Sequence, residues 1–325
     1  MPTPSARPDP EEVPQVVLND FLLGGPTTRD AFVATLGDAL RLFGFVRVAG
    51  HSVTPAKTGP AYAAARAIFS LPEAVRRGYI VPGGAGERGY SPFGAEHAKD
   101  NPTPDLKEFW HTGRELPADH PLQPLYPPNL WPPEVPGFRY AMLELYGALE
   151  QASEVLLRAI ALYLGEPEDT LLKLTHNGNS VLRALRYPPL VGVDAPAGAV
   201  RAAAHEDINI ITLLVTSTAS GLELLTRDGR WLAVNAEPGE IVADSGDMLS
   251  RVTSGFIPAT THRVVNPDQS SAERMSMPFF VHPRPDSVLR VLDSCRGEGF
   301  PEPQPDITGY AFLRERLVEL GLVEE

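Results

Sequence analysis

The residues best suited to chemistry lie between His205 and Ser276: His205-Glu206-Asp207, then Thr261-His262-Arg263, then Arg274-Met275-Ser276. In an extended strand alternate side chains share a face, so His205 and Asp207 are expected to point at one object. Two imidazoles and one carboxylate cover one face of an octahedron and leave the other open. That set suits non-haem Fe(II) acting on oxygen. Arg274 and Ser276 are again two apart and follow twelve residues after His262. Together they can hold a carboxylate beside such a metal.

Singly, each residue has an ordinary alternative. With eight histidines in the chain, a His-x-Asp pair arises easily by chance. His205 could be a hydrogen-bonded strand histidine, and Asp207 a turn or capping residue. Three features together favour the metal. The apolar run Ile208 to Leu214 continues directly from the pair and is expected to place it at the mouth of a buried strand. His262 opens a second β-rich run. Arg274 and Ser276 alternate with Met275, Met277 and Phe279, so the polar pair shares one face and the apolar residues take the other. A buried arginine needs a partner. No acid stands two residues from Arg274 on its face, so a bound carboxylate competes with a distant acid for that role.

The elements that must position these residues follow from the rest of the chain. Its 325 residues, 43% hydrophobic and 21% charged, are enough for a sizeable core. A net charge of −13 argues against nucleic acid or an anionic membrane as partner. Cys295 is the only cysteine, which excludes an intrachain disulfide and a cysteine-rich zinc site. No apolar run has the length of a signal peptide core or a membrane span. The expectation is a cytoplasmic, monomeric protein acting on a small molecule.

Residues 1–13 read as a flexible arm. Val16-Val17-Leu18 suggests a short strand, and Phe32, Leu36, Leu40 and Phe43 mark an amphipathic helix stopped by Gly44. Phe45 to Val48 reads as a buried strand and Pro55 to Leu71 as a helix. From Val81 to Pro136, Pro and Gly are dense and long loops are expected. Phe138 to Leu164 gives the longest helical pattern. From Ser180 onward short apolar strands recur: 208–215, 221–225, 231–234, 240–243, 261–265 and 275–281. Thr308 to Leu320 closes as an amphipathic helix. Evenly spaced strands after a helical half point to a sandwich or jelly roll, mainly β with flanking helices (α+β).

The motifs carry a resemblance. His205-Glu206-Asp207-Ile208-Asn209-Ile210-Ile211-Thr212, Thr261-His262-Arg263-Val264 and Arg274-Met275-Ser276 resemble the isopenicillin N synthase-like group of iron(II)/2-oxoglutarate-dependent oxygenases. Phe43-Gly44-Phe45-Val46, Gly89-Tyr90-Ser91-Pro92, Asp105-Leu106-Lys107-Glu108, Leu185-Arg186-Tyr187-Pro188 and Ile307-Thr308-Gly309-Tyr310 agree with it. The similarity spans nearly all the chain after about residue 13. It implies a distorted double-stranded β-helix over 176–285, an N-terminal helical and loop region over 14–175, and a tail and helix over 286–325. It further implies Fe(II) on His205, Asp207 and His262, with the distal carboxylate of 2-oxoglutarate on Arg274 and Ser276 and a further contact from Tyr187. Leu185 stands where many plant members carry Asn.

The implied reaction couples O2 to decarboxylation of 2-oxoglutarate, releasing succinate and CO2, and hydroxylates, desaturates or cyclises an unactivated carbon. Some members of the group are oxidases that use no 2-oxoglutarate. There the same Arg-x-Ser pair meets the substrate's own carboxylate. A catalytically silent binding protein of the same fold is the remaining alternative. Tyr90, Phe93 and Phe280 are candidates for the substrate pocket, with core packing the competing role for each.

Other signals fall away. Gly84-Ala85-Gly86-Glu87-Arg88-Gly89 spells G-x-G-x-x-G, but Pro92 and Gly94 follow where a helix should begin, so it reads as a loop at the substrate entrance. Asn209 breaks H-E-x-x-H, and Ser245 lies in no nucleophile elbow. His51, His97, His111, His120, His176 and His282 read as surface or packing residues.

Overall fold

The computed structural model describes residues 12–84, 86–96, 103–189, 200–215, 217–265, 273–319 and 323. The first half runs β1 (Gln15–Val17), α1 (Leu18–Leu23), α2 (Pro26–Phe43), β2 (Phe45–Ala49), α3 (Pro55–Phe69), α4 (Glu73–Arg77), β3 (Gly89–Ser91), β4 (Glu108–Gly113), α5 (Phe138–Tyr163) and α6 (Thr170–Thr175). The second half runs β5 (Val181–Tyr187), β6 (Ala202–His205), β7 (Ile211–Val215), β8 (Leu222–Leu225), β9 (Trp231–Ala233), β10 (Ile241–Ser245) and α7 (Asp247–Val252). It continues with β11 (His262–Val264), β12 (Arg274–Val281), β13 (Val288–Leu289), β14 (Ile307–Thr308) and α8 (Gly309–Glu319).

Eight strands form one sheet in the order β1-β2-β10-β7-β12-β5-β4-β3, and four form a second, β6-β11-β8-β9. The sheets enclose one apolar cluster, with Phe45, Phe109, Leu185 and Tyr187 from the larger and Ala202, Leu224 and Val264 from the smaller. A second cluster lies on the outer face of the larger sheet, where α2, α3 and α5 pack over Trp110, Leu213, Met275, Met277 and Phe279. This is the double-stranded β-helix with flanking helices that the motifs imply. Strand β12 alternates as expected: its Met275, Met277 and Phe279 face the helices while Arg274 and Ser276 face the interior.

Local chemistry explains the boundaries. Pro26 opens α2, where its missing N–H costs nothing, and Gly44 ends it at φ 68°. Among the described residues no helix is long and apolar enough to cross a membrane.

Three expectations need correction. The stretch 81–136 is not only loop, since it contributes β3 and β4, and every residue of β4 is buried. Its alternation is real but miscoded in the sequence. Glu108 points to the helix side because Arg76, Arg186 and Tyr90 satisfy it there. The strand expected from Ile208 begins at Ile211. The arm also ends early: Val13 is buried, its carbonyl accepts from Arg47 Nε at 3.0 Å, and Glu12 pairs with Arg47. Residues 1–11, His97 and Leu320 lie outside the described residues.

Candidate metal centre

His205 ends β6 and His262 begins β11, and the two are paired in the antiparallel register. Directly opposed residues put their side chains on one face, and the two rings stand 4.4 Å apart between centroids. Asp207 arrives differently from the strand-face argument. The chain leaves β6 after His205, and residues 206–210 form an irregular bend that swings the carboxylate inward. Asp207 Oδ1 then lies 3.8 Å from His205 Nε2 and 3.9 Å from His262 Nε2. The three ligand atoms fall within 4.8 Å of one another.

The bend is held by the start of α7. Asp247 N donates to Asp207 O at 2.8 Å, Met248 N to Asn209 O at 3.1 Å, and Gly246 N to Ile210 O at 3.1 Å. Helix-start N–H groups have no partners inside their own helix, so here they clamp the metal loop. Position 246 must be glycine for this. A Cβ there would sit 2.3 Å from Asn209 O and 2.7 Å from Asp207 O.

Hydrogen bonds also orient each ligand. His205 Nδ1 donates to Ala203 O at 2.7 Å and His262 Nδ1 to Thr260 O at 3.1 Å. A carbonyl can only accept, so both Nδ1 atoms carry the proton and both Nε2 lone pairs are left for a metal. The Thr212 hydroxyl donates to Asp207 Oδ2, and Asn209 Nδ2 donates to Thr212 Oγ1 at 3.0 Å. Oδ1 stays free on the histidine side. Burial, then the neighbouring His262, lowers the His205 pKa. Burial opposes ionisation of Asp207, but His262, His205, the Thr212 hydrogen bond and Arg183 together hold the carboxyl below its usual range. Asp244 on β10, the register partner of Thr212 on β7, is pushed well above the carboxylate range by burial and by the charge of Asp207.

A chamber of about 70 Å³ joins this cluster to Arg274, Ser276 and Tyr187. Arg274 is 1% exposed. Its Nε donates to Ala219 O at 3.2 Å, its Nη1 to Ser276 Oγ at 3.2 Å, and its guanidinium lies 5.0 Å from the centroid of Tyr187, its partner across β5. Among the described residues it makes no ion pair. A buried guanidinium whose hydrogen-bond partners are neutral, and which is repelled by the neighbouring cation Arg201, fits an acid that comes from outside the chain. Tyr187 lines the same chamber, and Leu185 stands where many plant members carry Asn.

A wider cavity of about 460 Å³ opens on the other side of His205 and Asp207, a size suited to a small organic molecule. Phe280 lines both spaces. Tyr90 does not; it is buried against the helices, and its hydroxyl donates to Glu108 at 2.5 Å. Phe93 is 40% exposed and lines neither space. His111 and His282, read from sequence as surface or packing residues, line the wide cavity instead. The Gly84–Gly89 loop does reach it, through Glu87 and Arg88.

Sequence reasoning passed over Thr212, Asp244, Lys107 and Arg183. Lys107 and Arg183 line both spaces and share Glu96 as an ion-pair partner, at 3.3 and 3.4 Å. Lys107 and Asp105 stand in the Asp105-Leu106-Lys107-Glu108 motif, and the repeated acids of Ala243-Asp244-Ser245-Gly246-Asp247 mark the strut under the metal loop. Both runs are visible in the sequence, without a sign of what they face.

Comparison with known proteins agrees with this geometry. Residues 13–134 match the family described as non-haem dioxygenase in morphine synthesis N-terminal, and residues 178–283 match the 2OG-Fe(II) oxygenase superfamily. A 2-oxoglutarate-Fe(II) type oxidoreductase of Aspergillus fumigatus is 32% identical over 280 residues, covering 84% of this chain and 82% of that protein. The proline hydroxylase buaE of Petromyces alliaceus is 30% identical over 323 residues, covering 95% and 99%. A solved 2OG-Fe(II) oxygenase family protein from Caulobacter crescentus superposes with a TM-score of 0.84 at 39% identity, covering 94% and 98%. A full-length Neurospora crassa protein, solved in complex with alpha-KG and thymine, superposes with a TM-score of 0.82 at 25% identity, covering 94% and 96%. The chain belongs to the isopenicillin N synthase-like group of 2OG-Fe(II) oxygenases.

Proposed function

We propose that His205, Asp207 and His262 are the iron ligands, that Arg274, Ser276 and Tyr187 receive the distal carboxylate of 2-oxoglutarate, and that the wide cavity holds a small organic substrate. The single observation that carries this reading is the one-sided donor set. Three groups within 4.8 Å crowd one face, and a buried guanidinium that makes no ion pair among the described residues stands behind them. The donors fit ferrous iron: two neutral imidazole nitrogens and one carboxylate oxygen, with no thiolate among the described residues near them.

When bound, the iron with 2-oxoglutarate and O2 supplies the oxidising power for an unactivated C–H bond, and succinate and CO2 are released. The chain's own contribution is positioning. Ala203 O and Thr260 O fix the tautomer of the two imidazoles, and Thr212 turns Asp207 so that one oxygen faces them. Arg274 sets the depth and direction of the co-substrate through a two-point grip. Phe45 meets the His262 ring edge-on at 5.5 Å and keeps water from that side.

The test is anaerobic addition of Fe(II) and then 2-oxoglutarate to the full chain. The reading expects the visible charge-transfer band of a chelated keto acid. A colourless complex that still consumes O2 without 2-oxoglutarate overturns the co-substrate assignment.

A further inference from the structure

Four cationic side chains line the wide cavity: Arg88, Lys107, Arg183 and Arg316. Three have acids. Lys107 pairs with Asp105 at 2.8 Å and with Glu96, Arg183 pairs with Glu96, and Arg316 pairs with Glu319 at 2.8 Å. Arg88 is different. It is 2% exposed and makes no ion pair among the described residues. Its Nη1 donates to the carbonyl of Glu87 at 2.7 Å and its Nη2 to Asn179 Oδ1 at 2.8 Å, while Nε has no partner among the described residues. Burial works against its charge and lowers its pKa.

The chain nevertheless holds this guanidinium in place. It lies flat on Gly113 of β4, where a Cβ would come within 1.9 Å of Cζ. Two neighbours on the same cavity wall are polar and neutral. Asn179 presents its amide beside the guanidinium, and His282 keeps a buried Nδ1 without a partner among the described residues. Burial pushes the His282 pKa down to about 4, so the ring carries no charge that would repel the guanidinium at neutral pH. The neighbouring Glu87 carboxylate offsets part of that burial without forming an ion pair with the guanidinium, and a desolvated cation so placed gains from an anion that bonds to it directly.

We propose that Arg88, with Asn179 and His282, is the anion subsite of the substrate cavity, and that the substrate is a monocarboxylate whose apolar part lies against Ile208, Phe280, Leu313 and Leu317. This deepens, and rests on, the assignment of the wide cavity to substrate. A single cation without an ion pair among the described residues calls for one negative charge. Glu87, Glu206 and Asp247 on the same walls would repel a phosphate dianion. The four apolar residues share the cavity with Arg88, so an acid bound there has its carbon skeleton beside His205 and Asp207. Arg88 acts here as a specificity-determining residue that touches the substrate's acid group.

The test uses the full chain, anaerobic, with Fe(II) and saturating 2-oxoglutarate so that Arg274 is blocked. Pentanoate, octanoate and 3-phenylpropanoate are titrated by calorimetry against their primary amides. At least one acid should bind about tenfold or more tighter than its amide, the scale of charge-assisted hydrogen bonds. Arg88→Gln should remove that preference, leaving the amide within about twofold of wild type. Asn179→Asp keeps Arg88 but sets a carboxylate against it, and should remove the preference too, which decides the matter if Arg88→Gln does not fold. Acids that bind no better than amides, no acid binding at all, or an acid preference that survives in Asn179→Asp overturns the proposal. The keto-acid band in the same samples reports separately on the iron and 2-oxoglutarate assignment.

Discussion

Arg274→Met gives the sharpest check on the co-substrate grip. In the protein alone, Arg274 is buried with two neutral hydrogen bonds and the Tyr187 ring. Methionine fills similar space, frees Ala219 O and Ser276 Oγ, and removes a desolvated charge. These effects oppose each other, so stability should change by about 1 kcal/mol or less. With 2-oxoglutarate the balance is one-sided. Two hydrogen bonds to a charged group are worth at least about 3 kcal/mol together, which is about a hundredfold in Kd at 1.4 kcal/mol per tenfold. Ligand protection follows the same arithmetic. At a concentration 100 times its Kd, 2-oxoglutarate should stabilise the wild type by about 2.7 kcal/mol but a variant with a hundredfold weaker site by only about 0.4 kcal/mol. The assay is an anaerobic titration of the charge-transfer band with thermal melts at fixed 2-oxoglutarate. A Kd within tenfold of wild type, or equal protection in the melts, would falsify the role given to Arg274.

Three further outcomes can be checked. His205→Ala and His262→Ala should each lose Fe(II) while keeping the circular dichroism spectrum of the fold; full iron affinity in either contradicts the ligand assignment. Thr212→Val, which keeps the shape but not the hydroxyl that steers Asp207, should weaken Fe(II) binding by about 10- to 100-fold in a chelator competition, and an unchanged affinity would show that Asp207 needs no steering. A histidine whose folded pKa lies below its unfolded value takes its proton first in the unfolded chain, so His282 costs stability as pH falls from about 6.5 towards about 4. Denaturant melts at both ends of that window should therefore show wild type losing more stability than His282→Gln; parallel losses would mean that the ring is not buried neutral.

The ligands are legible in the chain because metal chemistry restricts residue types so severely, but strand alternation alone does not account for their convergence. His205 and Asp207 do not share a strand face. Asp207 is turned in by a bend that α7 clamps, and α7 leaves no mark in the sequence because six residues are too few for a helical period. Arg274 and Ser276 are legible for the opposite reason. Strand β12 is long, and its apolar alternation names the face that must hold the polar pair. Strand β4 hides itself, since Glu108 sits where an apolar residue is expected and is satisfied by Arg76, Arg186 and Tyr90 from distant parts of the chain.

Local residue order thus determined the long helices α2, α3 and α5, the closing helix α8, strands β7 to β12 apart from their ends, the ligand types and the acid-binding pair, because each depends on near neighbours or on one element's periodicity. Tertiary structure alone decided which histidines face the cavity, that Tyr90 belongs to a buried ion-pair network, and that among the described residues Arg88 makes no ion pair while Lys107, Arg183 and Arg316 do. Pairing and burial depend on groups brought together from far along the chain, and that proximity is a property of the packed sheets rather than of any single segment.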